Sequence, residues 1–379
     1  MTVLTVNVGS SSVKLRWLEG EGVVSSVDLS AGGSVAEGDL SFAVTSAVSA
    51  SPPPEVVVHR IVHGGNRFRE GVLIDDDVLL ALRELSDLAP DHQRRALSVI
   101  DTLGSGMPDV PHVAVFDTAF HSTLGPAATT LAIPAEWREA WGVRRFGFHG
   151  LSHAYSSRRA LELLGQRHGR VVVAHLGSGC SLAATVDGQS VETTMGFTPL
   201  DGLVMGTRSG SVDPGLIPWL QVHHGVSSAR ALEALEHESG LLALAGTSDM
   251  REVMARCRRG PEPDRAQLAV EVFVHRLVLS IGAMAAAAGG MDALVFTGGI
   301  GENSAQIRGA TAARLGHLGV HIDEERNANL DTYDRDIAEA SAPCRVHVVR
   351  AREEVQMVRA SAGVLERASA GLRASAMDP

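Results

Sequence analysis

Val3-Leu4-Thr5-Val6-Asn7-Val8-Gly9-Ser10-Ser11-Ser12-Val13-Lys14-Leu15-Arg16-Trp17-Leu18 reads as a strand, a tight glycine–serine turn and a second strand. The pattern returns at Val171-Val172-Val173-Ala174-His175-Leu176, turns through Gly177-Ser178-Gly179-Cys180-Ser181, and resumes over Leu182–Val186 before a further turn at Asp187-Gly188. Asn7 aligns with His175, and Gly9 with Gly177. A repeat spaced by roughly 170 residues is too long for a solenoid and fits two related domains. Around the hairpins, strands are expected at Val56–Arg60, Val113–Phe116 and Ala293–Thr297. Helices are expected at Asp76–Leu88, Asp91–Leu103, Ala229–His237, Arg265–Ala288, Ser304–Gly316 and Glu353–Ala368. Strands alternating with helices make the fold α/β. The Gly-, Ser-, Ala- and Pro-rich stretch Ser30–Pro54 is expected at the periphery.

Composition narrows the function classes. A chain of 379 residues with 45% hydrophobic and 20% charged residues is globular and long enough for two cores. Its formal net charge of -11 argues against a nucleic-acid surface or an anionic membrane partner. The N-terminal stretch has no basic leader or cleavage site, and Ile281–Met291 is too short to span a bilayer, so a cytoplasmic enzyme is expected. Cys180, Cys257 and Cys344 are scattered and odd in number, which disfavours a disulfide framework or a cysteine metal site. Of 33 basic residues only Lys14 is a lysine, a compact charge suited to a phosphate.

Four glycine- or serine-rich turns each follow an apolar strand: Asn7–Ser12, Gly177–Ser181, Gly206–Gly210 and Gly298–Asn303. Turns of this kind present the N–H groups and hydroxyls that polyphosphates require, although singly they also serve plain chain reversal. Neither a P-loop nor a dinucleotide fingerprint is matched. Charged residues stand directly after apolar strands: Arg60 in HRIVHGG, Asp117 in VFDTAFH and Arg208 in MGTRSG. His149 and His153 in FGFHGLSH are spaced for one helical face, but without HExxH or a third ligand a zinc hydrolase is disfavoured. Cations for equatorial oxygens, a carboxylate for a metal and donors for an acceptor make the set that phosphoryl transfer needs.

VNVGSSSVK, HRIVHGG, VFDTAFH, FGFHGLSH, AHLGSGCSLAA, MGFTPLDGLVMGTRSG, FTGGIGENS and Glu353-Glu354 occur in the order found in acetate and propionate kinases, and the chain resembles that family from about residue 3 to about residue 360. The resemblance implies two duplicated ribonuclease-H-like domains of the actin-like ATPase kind around a central nucleotide cleft. Their expected extents are 1–121 with 355–379, and 122–354. It implies ATP and Mg²⁺ as cofactors, a small carboxylate as acceptor, and a homodimer. In this resemblance Asn7, Ser10, Ser12 and Lys14 correspond to the first phosphate hairpin, and His175, Gly177, Ser178 and Gly179 to the second. Arg60 and Arg208 look like the pair flanking the transferred group. Asp117 resembles the active-site carboxylate, His149 the donor to the transition state, and Glu353 the Mg²⁺ anchor together with Asn7. Asp249, Met250, Arg251, Gly299, Ile300, Gly301 and Asn303 resemble the adenosine pocket. Val62, Asp91, His92, Phe148 and Pro199 fall at the acyl pocket. In-line transfer is expected, and an acceptor carboxylate, ionised at pH 7, needs no strong base.

Three positions depart from the family pattern. Asp91 stands where an apolar residue is usual, and burying a carboxylate beside a methyl group is costly. Either it turns to solvent, or it meets a hydroxylated or amino-bearing acid, with Arg94 or Arg95 near a second anionic group. Ser178 replaces the usual asparagine, with shorter reach. Ala351-Arg352 replaces Thr-Asn or Thr-Asp before Glu353. A nucleotide-binding relative without acid kinase activity is the reading from a different class; retention of Arg60, Asp117, His149, Arg208 and Glu353 speaks against it.

Overall fold

The computed structural model describes residues 1–9, 12–30, 37–257, 265–329 and 334–375, with side chains left out at 37–39, 90–91 and 371–375. The chain divides into two compact units: 1–122 with 148–155 and 352–379, and 123–147 with 156–351. Residues 148–155 cluster with the first unit.

In the first unit, β1 (Thr2–Val8), β2 (Ser12–Glu19), β3 (Gly22–Ser30), β4 (Val56–Ile61), β5 (Val72–Leu73) and β6 (His112–Phe116) form one sheet in the order β3-β2-β1-β4-β6-β5. The β1–β2 hairpin is antiparallel, while β1, β4 and β6 run parallel side by side. Period-two alternation sorts the side chains between the two faces of the sheet. Leu4, Val6, Leu15, Trp17, Val57, Ile61 and Phe116 meet the helices 37–49, 76–84 and 90–106 on one face. Val3, Val56, Val58, Val113 and Val115 meet Leu151 and, from the helix Glu353–Ser375, Met357 and Val364 on the other.

The stretch Ser30–Pro54 is not peripheral throughout. Its helix Glu37–Ser49 buries Leu40 and Val44 in the first core, with Ala47 and Val48 packed beside them. Spacings of four, three and one make one apolar stripe, which the surrounding small and polar residues obscure in composition.

In the second unit, β7 (Arg170–Leu176), β8 (Cys180–Val186), β9 (Gln189–Thr193), β10 (Ala293–Thr297), β11 (Arg335–Asp336) and β12 (Arg345–Val348) take the order β11-β12-β10-β7-β8-β9. Replacing each strand of the first sheet by the one six places later reproduces this order, with the same parallel and antiparallel pairs. The two hairpins differ in their turns: Gly9 N–H reaches Ser12 O in the first, and Gly177 N–H reaches Gly179 O, one residue sooner, in the second. Helix Arg265–Ala287 is long and apolar enough to cross a membrane by length and composition, but it buries Phe273, Leu277 and Ile281 and packs on β7, β8 and β9 as a core helix. The expected helix Ser304–Gly316 is present as the shorter Ala305–Ala312, and the expected turn Gly298–Asn303 is itself a short helix. Gly298–Asn303 and Ala305–Ala312 are separate helices, and Ser304 caps the second by accepting from Ile307 N–H at 3.3 Å.

Candidate active site

Three adjacent parallel strands of the first unit end in polar side chains on one face. Asn7 belongs to the face of Val3, Arg60 to that of Val56 and Val58, and Asp117 to that of Val113 and Val115. On this face the helix Glu353–Ser375 packs, and its first residue is Glu353. The period of two therefore delivers Asn7, Arg60 and Asp117 to one patch, and the start of the packed helix adds Glu353.

Their geometry is tight. Arg60 donates from Nε to Asp117 Oδ1 at 2.9 Å and from Nη2 to Oδ2 at 2.6 Å, a bidentate bridge that fixes the guanidinium plane. Its Nη1 donates to Asn7 Oδ1 at 2.9 Å and lies 3.7 Å from Glu353 Oε2. Asn7 Nδ2 donates to that same Glu353 oxygen at 2.8 Å. The Arg60 side chain is 14% exposed, Asp117 2% and Glu353 16%. Burial opposes the Arg60 charge, but Asp117 and Glu353 outweigh it and hold its pKa above the ordinary value. Burial pushes the Asp117 carboxyl upward, against the pull of the Arg60 guanidinium and of the His149 backbone N–H.

The loop 148–150 is fixed on the same strand end. Gly150 N–H donates to Asp117 O at 2.9 Å, and a Cβ at Gly150 would stand 2.1 Å from that oxygen. His149 has φ of 56°, a left-handed conformation uncommon outside glycine. It precedes the helix Gly150–Leu163, so His149 and His153 do not share a helical face; His153 N–H donates to His149 O at 2.9 Å. Buried His121 has its pKa lowered to about 4 by desolvation, so at neutral pH it is an uncharged ring whose Nε2–H donates to Phe148 O at 3.0 Å. Phe148 and Val62 are buried, Phe148 edge-on to His63 at 5.3 Å between ring centroids. His92 is half-buried. Lys14 is exposed on β2 as the cross-strand partner of Asn7, and Ser12 is half-buried. Ser10 and the Asp91 side chain lie outside the described residues.

The remaining candidates belong to the second unit. His175 is half-buried one residue before the end of β7, and Gly206 N–H donates to Ser178 O at 3.0 Å, joining the turn Gly177–Gly179 to the turn that carries Arg208. Among the described residues no carboxylate lies within 4 Å of the Arg208 guanidinium, whose hydrogen-bond contact is Met205 Sδ at 4.0 Å. Burial depresses the Arg208 pKa, with Glu236 and Cys180 opposing. Asp249 precedes the helix Met250–Cys257 and binds the Arg251 backbone at 2.8 Å and its guanidinium at 2.6 Å; Met250 is buried, and Pro199 is half-buried. Gly299, Ile300, Gly301 and Asn303 lie in the helix Gly298–Asn303, with Asn303 Nδ2 donating to Gly299 O at 2.9 Å.

Two residues that the sequence reading passed over hold this turn. Glu302 Oε1 accepts from Gly298 N–H at 3.1 Å and from Ala351 N–H at 2.9 Å. Fully buried Arg308 donates to Gly301 O, Glu302 O and both Asn327 oxygens at 2.8 to 2.9 Å. Desolvation lowers its pKa to about 10. The signal was Glu302 within the FTGGIGENS stretch and Arg308 four residues after it, charged residues in an otherwise apolar and small-residue context. Among the described residues no group of three or more His, Cys, Asp or Glu side chains is placed to hold a metal ion by itself.

Residues 47–359 match the acetokinase family. The chain is 47% identical over 318 residues to an acetate kinase of Nostoc punctiforme, covering 83% of this chain and 78% of that protein. It is 47% identical over 313 residues to an acetate kinase of Deinococcus deserti, covering 82% and 78%. Among solved structures, a propionate kinase from Francisella tularensis superposes with a TM-score of 0.87 at 35% identity, covering 95% of this chain and 98% of that one. The Porphyromonas gingivalis acetate kinase gives 0.86 at 33% identity, covering 96% and 99%.

Proposed function

We propose, since this chain belongs to the acetokinase family, that it moves a phosphoryl group reversibly between ATP and a short-chain carboxylate, acetate or propionate, to form an acyl phosphate. The observation that carries the reading is the Asn7–Arg60–Asp117–Glu353 network at the ends of three parallel strands. Asp117 holds the Arg60 guanidinium rigid, so Arg60 meets charge building on the transferred group without reorganising. Arg208, a half-buried cation with no carboxylate in ion-pair range among the described residues, is assigned to the same charge. His149 is assigned the role of donor at that group. The acceptor arrives already ionised, so the residues position and stabilise instead of removing a proton.

Mg²⁺ suits the donor set. It is commonly held by one or two carboxylates with phosphates and water, not by an all-protein cage, and Asn7 with Glu353 supplies hard oxygens of that kind. When bound it neutralises phosphate charge. Ser10, Ser12, Lys14, His175, Gly177, Ser178 and Gly179 are assigned to the phosphates of ATP, and Asp249, Met250, Arg251, Gly299, Ile300, Gly301 and Asn303 to its adenosine. Val62, Asp91, His92, Phe148 and Pro199 are assigned to the acyl group. Three cysteines, odd in number and scattered along the sequence, suit a reducing compartment and support a cytoplasmic setting. A homodimer is supported by the helix Leu216–His224, which buries no residue and exposes Trp219 and Val222.

Hydroxylamine trapping of acyl phosphate, with Mg-ATP and a panel of acetate, propionate, butyrate, lactate, glycine and malonate, tests the reading. Hydroxamate from acetate or propionate is expected. Turnover of polar acids alone would make Asp91 a specificity residue, and none with any acid would sink the kinase assignment.

A further inference from the structure

Within the first unit, the peptide plane between Phe148 and His149 is gripped at both edges by the side chains of Asp117 and His121. His121 Nε2 lies 3.0 Å from Phe148 O, and since a carbonyl only accepts, that nitrogen carries the hydrogen. At the other edge the His149 backbone N–H donates to the Asp117 carboxylate. Two further ties of the loop are backbone to backbone, Gly150 N–H to Asp117 O and His153 N–H to His149 O, each at 2.9 Å. The His121 ring is 1% exposed and stands T-shaped to Phe120 at 5.4 Å and to His153 at 5.7 Å between centroids, so it has little room to turn. Holding that plane sets two dihedral angles, ψ of Phe148 and φ of His149. The second is 56°, a left-handed value that a residue with a side chain keeps only where its surroundings over-determine it.

We infer that His121 is a positioning residue for His149: its hydrogen bond to Phe148 O holds the left-handed backbone from which the His149 side chain is presented. The inference rests on the role proposed above for His149. Without this donor the peptide plane loses one of its two grips, and a buried carbonyl loses a partner.

Three single variants and one double variant of the full chain test this. His121→Phe keeps a ring and removes the donor, His121→Gln places an N–H at similar reach, and His149→Ala removes the side chain being positioned. Amide hydrogen exchange over residues 148–150, read without any ligand, should quicken in His121→Phe and return toward the parent in His121→Gln. In hydroxamate formation His121→Phe should lose about 10²-fold in kcat, the cost of a shift near 1 Å at a reacting centre, with the KM for ATP unchanged. His121→Gln should recover most of that loss. His121→Phe combined with His149→Ala should be no slower than His149→Ala alone, because His121 acts through His149. Parent-like kcat or parent-like exchange in His121→Phe, no recovery in a folded His121→Gln, or losses that multiply in the double variant would each overturn the inference. A parent chain that forms no hydroxamate would sink the kinase reading, and the exchange arm would then decide by itself whether His121 holds this loop.

Discussion

Arg60 and Asp117 are worth more as a pair than either is alone. Removing one partner of a buried pair strands the other charge, at about 3–5 kcal/mol. Arg60→Ala and Asp117→Ala should each lower stability by that order, and the double variant should recover part of it. All three should lose hydroxamate formation by roughly 10³-fold, the scale seen when a fixed transition-state charge is removed. Urea melts with the trapping assay check this, and a double variant less stable than both singles would contradict it. The position of these residues was readable, because each follows an apolar strand and the strand period fixes its face. The link from Asn7 to Glu353 was not: it spans 346 residues, and no local spacing encodes it. Glu302 escaped for the same reason, since its partner Ala351 is 49 residues away.

Among elements, the helix Gly150–Leu163 sits against the end of β6 only because Gly150 has no side chain. Gly150→Ala would press a methyl carbon into Asp117 O, 2.1 Å away, and toward Phe120 Cβ at 2.8 Å. The helix start and His149 must then shift, and a displacement near 1 Å at a reacting centre costs about 10²-fold in rate. A large fall in kcat with far-ultraviolet circular dichroism intact is the expected result; full activity would show the close approach to be dispensable. Elements with strong periods were legible, the hairpins and the helix Arg265–Ala287 above all. β3 was not, because Val23 and Val24 face solvent and its alternation is shallow. The short helix Gly298–Asn303 was read as a glycine-rich turn, since its glycines signal chain reversal in composition while its backbone closes a helical turn.

Across the whole molecule, one sheet plan was used twice and given different ends. In register, Asn7 corresponds to His175 and Arg60 to Thr297, so only the first copy carries the charged network. The second unit instead exposes the apolar helix Leu216–His224. Val222→Asp on that helix should convert the proposed dimer to monomers in analytical ultracentrifugation. A monomeric parent, or an unaltered dimer, would reject that surface. Duplication was visible in the sequence because both hairpins kept their strand pattern; partner surfaces were not, because one chain cannot show what covers it. Basic composition is also a whole-chain property, and it has a chemical consequence. An acyl phosphate is an acyl donor to amines, whereas arginine remains a protonated guanidinium. Under the proposed chemistry the chain faces its own product with a single side-chain amine, and that amine, Lys14, is exposed opposite Asn7.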